Sequence, residues 1–239
     1  MEKVTIIIPT YNEKNNIRPL LERIKEVEKK VGAKYELSVL FVDDNSPDGT
    51  AHEIKKLKHD FEFDTQILER AGKLGLGTAY IDGFKKAMAA GALYLIQMDA
   101  DLSHDPLVVG QMLENLEIHD FVIGSRYIKG GQLPKWTLLR KLVSWGGNFY
   151  ARLILGFNIR DYTGGFNAYS KKVLESINLD EIKGNGYAFQ IELKYKAKKK
   201  GFSFVEIPIH FHDRTQGKSK FSKNIFVEAF LNTLKLKFS

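Results

Sequence analysis

Two carboxylates one residue apart, Asp99 and Asp101, close a short apolar run from Leu93 to Met98. Such a run, bounded by polar turn signals, reads as a buried strand. Asp-x-Asp leaving a strand can hold a hard divalent cation, which in turn can bridge the phosphates of a nucleotide. An isolated pair of this kind also reads as a solvated acidic turn, with Asp105-Pro106 opening the next helix. Other acids follow strands in the same way: Glu13 after the first apolar run, Asp43 and Asp44 after the second. In a parallel sheet these ends line one edge, so all of them are expected to face one crevice. Asp43 or Asp44 could hold a base or ribose there. Asp101, with or without Asp99, could hold Mg²⁺ or Mn²⁺ on a pyrophosphate.

The elements that must position these acids follow from periodicity. Strands are expected at Lys3–Pro9, Tyr35–Val42, Asp64–Leu68, Leu93–Met98, Phe121–Ser125 and Phe202–Ile209. Helices are expected from about Lys14 to Val31, where Leu20, Leu21, Ile24, Val27 and Val31 make an apolar face, and from about Thr50 to His59. Others follow from Gly77 to about Ala90, over Asp105–Leu116 and over Gly186–Lys200. Strands alternating with helices of ten or more residues mean βαβ units, an α/β fold and a largely parallel sheet. Pro134–Leu155 reads as one long helix, or two broken at Gly146-Gly147. Its apolar positions go nearly all the way round, which means burial on several sides or contact with lipid. Arg140 and Ser144 stand four apart on it and share a face. A last helix, about Lys223–Lys237, has Ile225, Phe226, Ala229, Phe230 and Leu234 on one stripe. It reads either as docked on the domain or as lying in a membrane surface. The chain divides on this reading into residues 1–222 as one α/β domain, which the resemblance given below makes the catalytic domain, and 223–239 as a basic amphipathic helix.

Composition bounds the function classes. The chain has 239 residues, a net charge of +7 and no cysteine. That length can bury a full core. The absence of cysteine removes disulfides, a thiolate nucleophile and Cys-ligated zinc. No secretory signal is read at MEKVTIII, and no stretch approaches about 18 consecutive apolar residues. From Arg214 to Ser239, six Lys or Arg stand against one Glu. A basic end of this kind suits nucleic acid, anionic lipid or a phosphorylated ligand, or is a solvated face. Gly75-Leu76-Gly77 begins a GxGxxG-like string, but its third position is Tyr80 and it follows the third strand, which argues against a dinucleotide oxidoreductase. There is no P-loop.

Among other residues, His104, His210 and His212 could form a metal set, although surface histidines are the favoured reading. Gly164-Gly165 is expected to serve a backbone conformation, with a loop passing close to a ligand as the alternative. Glu192 is either a helix-facing charge or a group that orients a loop.

The segments IIIPTYNE, VDDNSPDGT, MDADLSHDP, GSRY, TGGFNAY, GYAFQIE and EIPIHFHDRTQGKSK, in this order, resemble the inverting family 2 glycosyltransferases of GT-A fold. Within them the set is most similar to the dolichyl-phosphate or polyprenyl-phosphate mannose synthases, of the stand-alone catalytic type. The resemblance covers about residues 3–222. It implies GDP-mannose as donor and a polyprenyl monophosphate as acceptor. It implies that Pro9, Tyr11, Glu13, Val42 and Asp44 hold the guanosine portion, and that Asp99, Ala100 and Asp101 lie at the metal and diphosphate. It puts Arg126, Arg214 and Lys220 around the donor phosphates and sugar, and Arg140 and Ser144 at the acceptor phosphate. Asp101, Arg126 and Arg140 would be the residues closest to the chemistry. Some relatives carry Gln where this chain has Ser103, and there it helps bind the metal; Ser103 is a poorer ligand, for which a water would substitute. Many relatives append transmembrane helices, and the resemblance leaves room for small membrane-anchoring subunits as partners.

The acceptor chemistry is consistent with this. A sugar leaving a nucleoside diphosphate leaves charge that a divalent cation and Arg or Lys stabilise. Glycosyl transfer passes through an oxocarbenium-like state. A phosphomonoester, with a second pKa of about 6, is already ionised at neutral pH. It therefore needs placing by positive charge and no protein general base. Single displacement would invert an α-linked donor to a β-mannosyl phosphate. A polyprenyl chain stays in the bilayer, so the resemblance implies a peripheral enzyme on the cytosolic face of a membrane. Two alternatives are a UDP-glucose-dependent or other family 2 transferase and, remotely, a basic nucleic-acid-binding protein. The acidic crevice and the lack of aromatic RNA motifs argue against the latter, so no nucleic-acid partner is expected.

Overall fold

The computed structural model describes residues 1–213 and 223–238, and over 223–229 the backbone alone. Strands β1 (Glu2–Thr10), β2 (Tyr35–Asp43), β3 (Asp64–Glu69), β4 (Tyr94–Gln97), β5 (Phe121–Ser125), β6 (Asn167–Ser170) and β7 (Phe204–Pro208) form one sheet in the order β3-β2-β1-β4-β6-β5-β7. β1 runs parallel to β2 and β4, β2 to β3, and β5 to β7. β6 is antiparallel to both its neighbours.

The chain winds outward from β1 through β2 to β3, then returns to the other side of β1 with β4. The order of winding across the sheet reverses at β1, and this is where an open α/β sheet forms its ligand crevice. The register sets Thr10 beside Asp43 and Ile7 beside Gln97, so the polar segments after β1, β2 and β4 emerge together.

Alternation along β1 explains why the sheet is covered on both faces. Val4, Ile6 and Ile8 enter one core with Ile17, Leu20, Leu21 and Ile24 of α1 (Lys14–Val31) and with Val109, Met112 and Leu113 of α4 (Val108–Leu116). Ile7 enters the other, with Tyr80 and Phe84 of α3 (Leu76–Ala89) and Phe189 and Leu193 of α7 (Tyr187–Lys199). Helix α3 presses close to β1 because Gly83 has no side chain: a Cβ there would lie 2.5 Å from Ile7 Cγ2. Helices α2 (Thr50–Leu57) and α6 (Lys171–Ser176) are short connectors.

Three sequence expectations need adjustment. Helix α4 begins at Val108 because Asp105 Oδ1 accepts the Leu107 amide and turns the chain first. Helix α5 (Leu138–Leu155) starts later than Pro134; it runs through Gly146-Gly147 as one helix, the first of the two alternatives, and buries only Asn148, Ala151 and Leu155. The strand at Asn167–Ser170 was not expected; four residues give too short an alternation to register, and the flanking ladders of β4 and β5 impose the conformation.

The last helix, α8 (Lys223–Phe238), packs on the domain. Phe230 stacks on Tyr150 of α5 with centroids 4.3 Å apart, and Leu236 joins the core. Phe238 remains exposed. The expectations for Ile225, Phe226 and Ala229 concern side chains outside the described residues.

Candidate active site

The acids divide into those that build the crevice and those that face it. Asp43 is fully engaged in holding the loop after β2. Its Oδ1 accepts from the hydroxyls of Thr10 (2.9 Å) and Ser46 (2.6 Å), and its Oδ2 accepts the Ser46 amide at 2.9 Å. Asp44 is also buried, and it is paired with a residue the sequence did not reveal. Arg70, just after β3, donates Nε to Asp44 Oδ1 at 2.7 Å and Nη1 to Asp82 at 3.1 Å. The sequence signal was indirect: a buried Asp at a strand end needs a partner, and β3 is the neighbouring strand. Glu13 lies alongside, accepting from Asn16 Nδ2 at 2.7 Å, and Lys73 stands over the Tyr11 ring at 4.6 Å. Pro9 is partly exposed at the end of β1. Val42 is completely buried, with its side chain against α3.

After β4 the chain makes a tight turn. Leu102 takes φ 62°, a left-handed conformation that costs a non-glycine residue about 1 kcal/mol. This turn brings the Ser103 amide (3.1 Å) and hydroxyl (2.5 Å) onto Asp101 Oδ1. Ser103 therefore orients the carboxylate. Asp99 is fixed from two sides: its amide donates to His104 Nδ1 at 3.1 Å, and its Oδ1 accepts the Tyr80 hydroxyl at 3.3 Å. Burial, reinforced by Asp99, pushes the Tyr80 phenol far up, so it stays a donor. Ala100 is buried between the two acids.

The histidines divide differently from expectation. His210 and His212 are exposed, but His104 is buried and stacks on Phe166 at 4.8 Å. Burial lowers its pKa, and an Nδ1 that accepts an amide proton makes it the neutral Nε2–H form. It is a structural prop for the Asp99 backbone. Among the described residues no group of three or more His, Asp or Glu is arranged for a metal.

Arg126, at the end of β5, forks onto Asp161 with Nε at 2.8 Å and Nη2 at 2.7 Å. Burial would lower the guanidinium's pKa, but the adjoining Asp161 carboxylate more than compensates and holds it charged. Burial would likewise raise Asp161, yet Arg126 keeps it below the usual carboxylate range. Lys194 of α7 sits beneath the same loop, fully buried, and donates Nζ to the carbonyls of Asp161 (3.0 Å), Tyr162 (3.0 Å) and Gly164 (2.7 Å). Burial pulls its pKa down to about 7. Arg126 and Lys194 thus hold the Asp161–Gly165 loop in place, and Lys194 had no signal in the sequence.

Neither Gly164 nor Gly165 has positive φ, so backbone freedom is not what they supply. A Cβ on Gly165 would stand 3.6 Å from Gln190 Nε2 and 3.9 Å from Asp99 Oδ1, ordinary contact distances, so the loop passes directly beside Asp99. Glu192 is inward-facing: it accepts the Gly184 amide at 3.1 Å and pairs with Lys196 at 3.0 Å, tethering the loop before α7.

Arg140 and Ser144 do share a face of α5, and both line a cavity of about 220 Å³ between α5, α7 and α8. Its other walls are mostly apolar or aromatic, among them Trp136, Val143, Tyr150, Tyr187 and Phe230. Arg140 stacks over Trp136 at 4.0 Å, and Ser144 Oγ accepts the Tyr127 hydroxyl at 2.6 Å. Arg214 and Lys220 lie outside the described residues.

A family model described as Glycosyl transferase family 2 matches residues 5–177. The chain belongs to that family. It is 40% identical over 96% of its length to an undecaprenyl-phosphate mannosyltransferase of Micrococcus luteus, covering 92% of that protein. It is 38% identical over 95% of its length to a polyprenol monophosphomannose synthase of Mycolicibacterium smegmatis, covering 84% of it. In structure it is similar to glucosyl-3-phosphoglycerate synthase from Mycobacterium tuberculosis in complex with Mn²⁺, UDP and phosphoglyceric acid. There the TM-score is 0.69 at 17% identity, over 99% of this chain and 78% of the other. A mannosyltransferase from Pyrobaculum calidifontis in complex with GDP-Man and Mn²⁺ gives a TM-score of 0.60 at 16% identity, over 98% and 72%. The fold of this family 2 member is thus the GT-A-like arrangement expected from its motifs.

Proposed function

We propose that this glycosyltransferase transfers mannose from GDP-mannose to a polyprenyl monophosphate, with inversion, giving polyprenyl-phosphate β-mannose. The observation that carries the reading is the pairing of two unlike sites. An acidic, sheet-edge crevice runs from Asp44 to Asp101, and an apolar cavity carries Arg140 and Ser144 on one wall. A charged head on an apolar chain is the acceptor such a cavity fits. The two mannosyl-transferring relatives, similar over almost the whole chain, support the same acceptor class.

In this reading Pro9, Tyr11, Glu13, the Val42 backbone and Asp44 meet the nucleoside, and Arg126 and Ala100 lie along the diphosphate. Arg214 and Lys220 are assigned to the donor phosphates from the sequence. The donor set offered by Asp99 and Asp101 is two hard carboxylates, which fits Mg²⁺ or Mn²⁺. Such ions are typically held by one or two protein carboxylates plus substrate phosphates and water. When bound, the ion would stabilise the charge left on the departing diphosphate. Ser103 holds the Asp101 carboxylate in one orientation for that purpose. Arg140 and Ser144 place an acceptor phosphate already ionised near neutral pH, so no side chain is assigned as general base. In calorimetric titrations with Mg²⁺, GDP-mannose is expected to bind at least about tenfold more tightly than UDP-glucose, a difference of about 1.4 kcal/mol. Equal or reversed affinities would move the donor assignment to the glucosyl-transferring branch.

The same helix supports a peripheral membrane location. No helix among the described residues is long and apolar enough to cross a membrane. Yet Leu138, Leu142, Trp145, Phe149 and Leu153 of α5 are all exposed and fall on one stripe. Such a stripe lies in a bilayer interface, with Lys141 and Arg152 nearby for headgroups. Replacing Leu142 and Trp145 together by Glu is expected to reduce co-sedimentation with anionic vesicles by about tenfold or more. GDP-mannose affinity in solution should not change. Undiminished sedimentation would place the membrane contact elsewhere.

A further inference from the structure

The hydroxyl of Thr163 stands where the two sites meet, and its hydrogen bonds determine where its proton goes. Thr163 Oγ1 accepts from Arg126 Nη2 at 2.9 Å on the donor side. It also accepts from Asn148 Nδ2 at 3.1 Å, on α5. The Asn148 amide cannot be turned over. Its Oδ1 accepts the Thr163 backbone amide at 3.0 Å, and its Nδ2 donates to the Ser144 carbonyl at 2.9 Å. Both of these backbone groups have fixed polarity. Arg126 can only donate. A hydroxyl has one proton and two acceptor lone pairs. Both acceptor positions of Thr163 are filled, so its proton must be given to a third group. Thr163 lines the cavity that Arg140 and Ser144 line. Ser144 is in a similar state, because its Oγ accepts the Tyr127 proton.

We propose that Thr163 is a further substrate-binding residue: its hydroxyl, forced to donate by Arg126 and Asn148, hydrogen-bonds an oxygen of the acceptor's phosphate. This rests on the phosphomonoester acceptor proposed above. It adds a third donor, after Arg140 and Ser144, and one tied to the donor-side arginine. A phosphate is the ligand chemistry that fits, since it accepts without donating when fully ionised and stands opposite the Arg140 guanidinium. The arrangement also gives the acceptor helix and Arg126 a shared hydrogen-bonded joint. A displaced α5 would release the Thr163 proton to turn elsewhere.

The test is steady-state transfer from GDP-mannose to a short-chain polyprenyl phosphate by the full chain. Wild type is compared with Thr163→Val and Thr163→Ser, and KM is measured separately for each substrate. Thr163→Val is expected to raise the acceptor KM by about tenfold, the effect of one lost charge-assisted hydrogen bond. The donor KM should stay within about twofold, and Thr163→Ser, which keeps the hydroxyl, should stay near wild type in both. Should Thr163→Val melt below the assay temperature, Thr163→Ala removes the same hydroxyl without putting a methyl group against Arg126. An unchanged acceptor KM, or donor and acceptor KM rising together, overturns the proposal and leaves Thr163 a structural link. A wild type that transfers no mannose from GDP-mannose to the polyprenyl phosphate overturns both this proposal and the function on which it rests. That result appears in the wild-type arm alone.

Discussion

Replacing Asp101 by Asn is expected to lower mannosyl transfer by about 10³-fold while leaving the fold intact. The magnitude is that of removing a preorganised electrostatic contact to charge developing in the transition state. The carboxylate is buried and held in one orientation by the Ser103 amide and hydroxyl. Asn keeps an oxygen for both of those bonds, so thermal unfolding should shift by no more than a few degrees. What Asn lacks is the charge a divalent cation needs. Adding Mg²⁺ or Mn²⁺ should raise the affinity for GDP in wild type and have little effect in the variant. Retention of full activity in Asp101→Asn would remove the metal from the account.

The second large effect is on stability. Asp161→Ala is expected to destabilise the protein by about 4 kcal/mol, because it leaves the Arg126 guanidinium buried without its counter-charge. For a chain of this size that corresponds to a fall in Tm of about 10 °C. Asp161 also accepts from the Arg126 backbone amide at 3.0 Å and the Gly164 amide at 2.9 Å, so the loop loses its shape along with its charge. A pH titration separates charge from shape. The folded pKa of Asp161 is below its ordinary value of 3.8, so its contribution to stability is fully present above about pH 4. That contribution is lost as pH falls through the lower folded value. Asp161→Asn keeps much of the shape without the charge; its stability at pH 7 should be reduced and should lack this acid-side step. An Asp161→Ala variant with unchanged Tm would mean that the Arg126–Asp161 fork carries no net stability.

What was legible in the sequence followed from short-range rules. The β-branched run at Lys3–Pro9, the apolar face of Lys14–Val31 and the acids after three strands are local patterns, and each gave its element to within a residue or two. The crevice then followed from topology, since parallel strands bring their carboxyl ends to one edge. Less legible was whatever depends on pairing across the sheet. Arg70 is recognisable as the partner of Asp44 only once β3 is known to lie beside β2. Lys194 looks like one more lysine of a basic helix, and nothing in its neighbours shows that three loop carbonyls converge on it. His104 sits among polar residues in sequence and under Phe166 in space. The glycines of the Asp161–Gly165 loop suggested backbone freedom, the usual reason for glycine. Here a Cβ at Gly164 would lie 3.1 Å from Asp161 Oδ1, and room is the reason instead.

The measurement that bears most directly on the central claim is the fate of labelled mannose. Radiolabelled GDP-mannose is incubated with the full chain, Mg²⁺ and a short-chain polyprenyl phosphate, then extracted into organic solvent. The account predicts label in the organic phase as a mannosyl phosphate of the lipid, with release of GDP, and loss of that product when the divalent cation is chelated. Label that stays in the aqueous phase, with GDP-mannose bound but no lipid product formed, would contradict the assignment of the Arg140–Ser144 cavity to a polyprenyl phosphate.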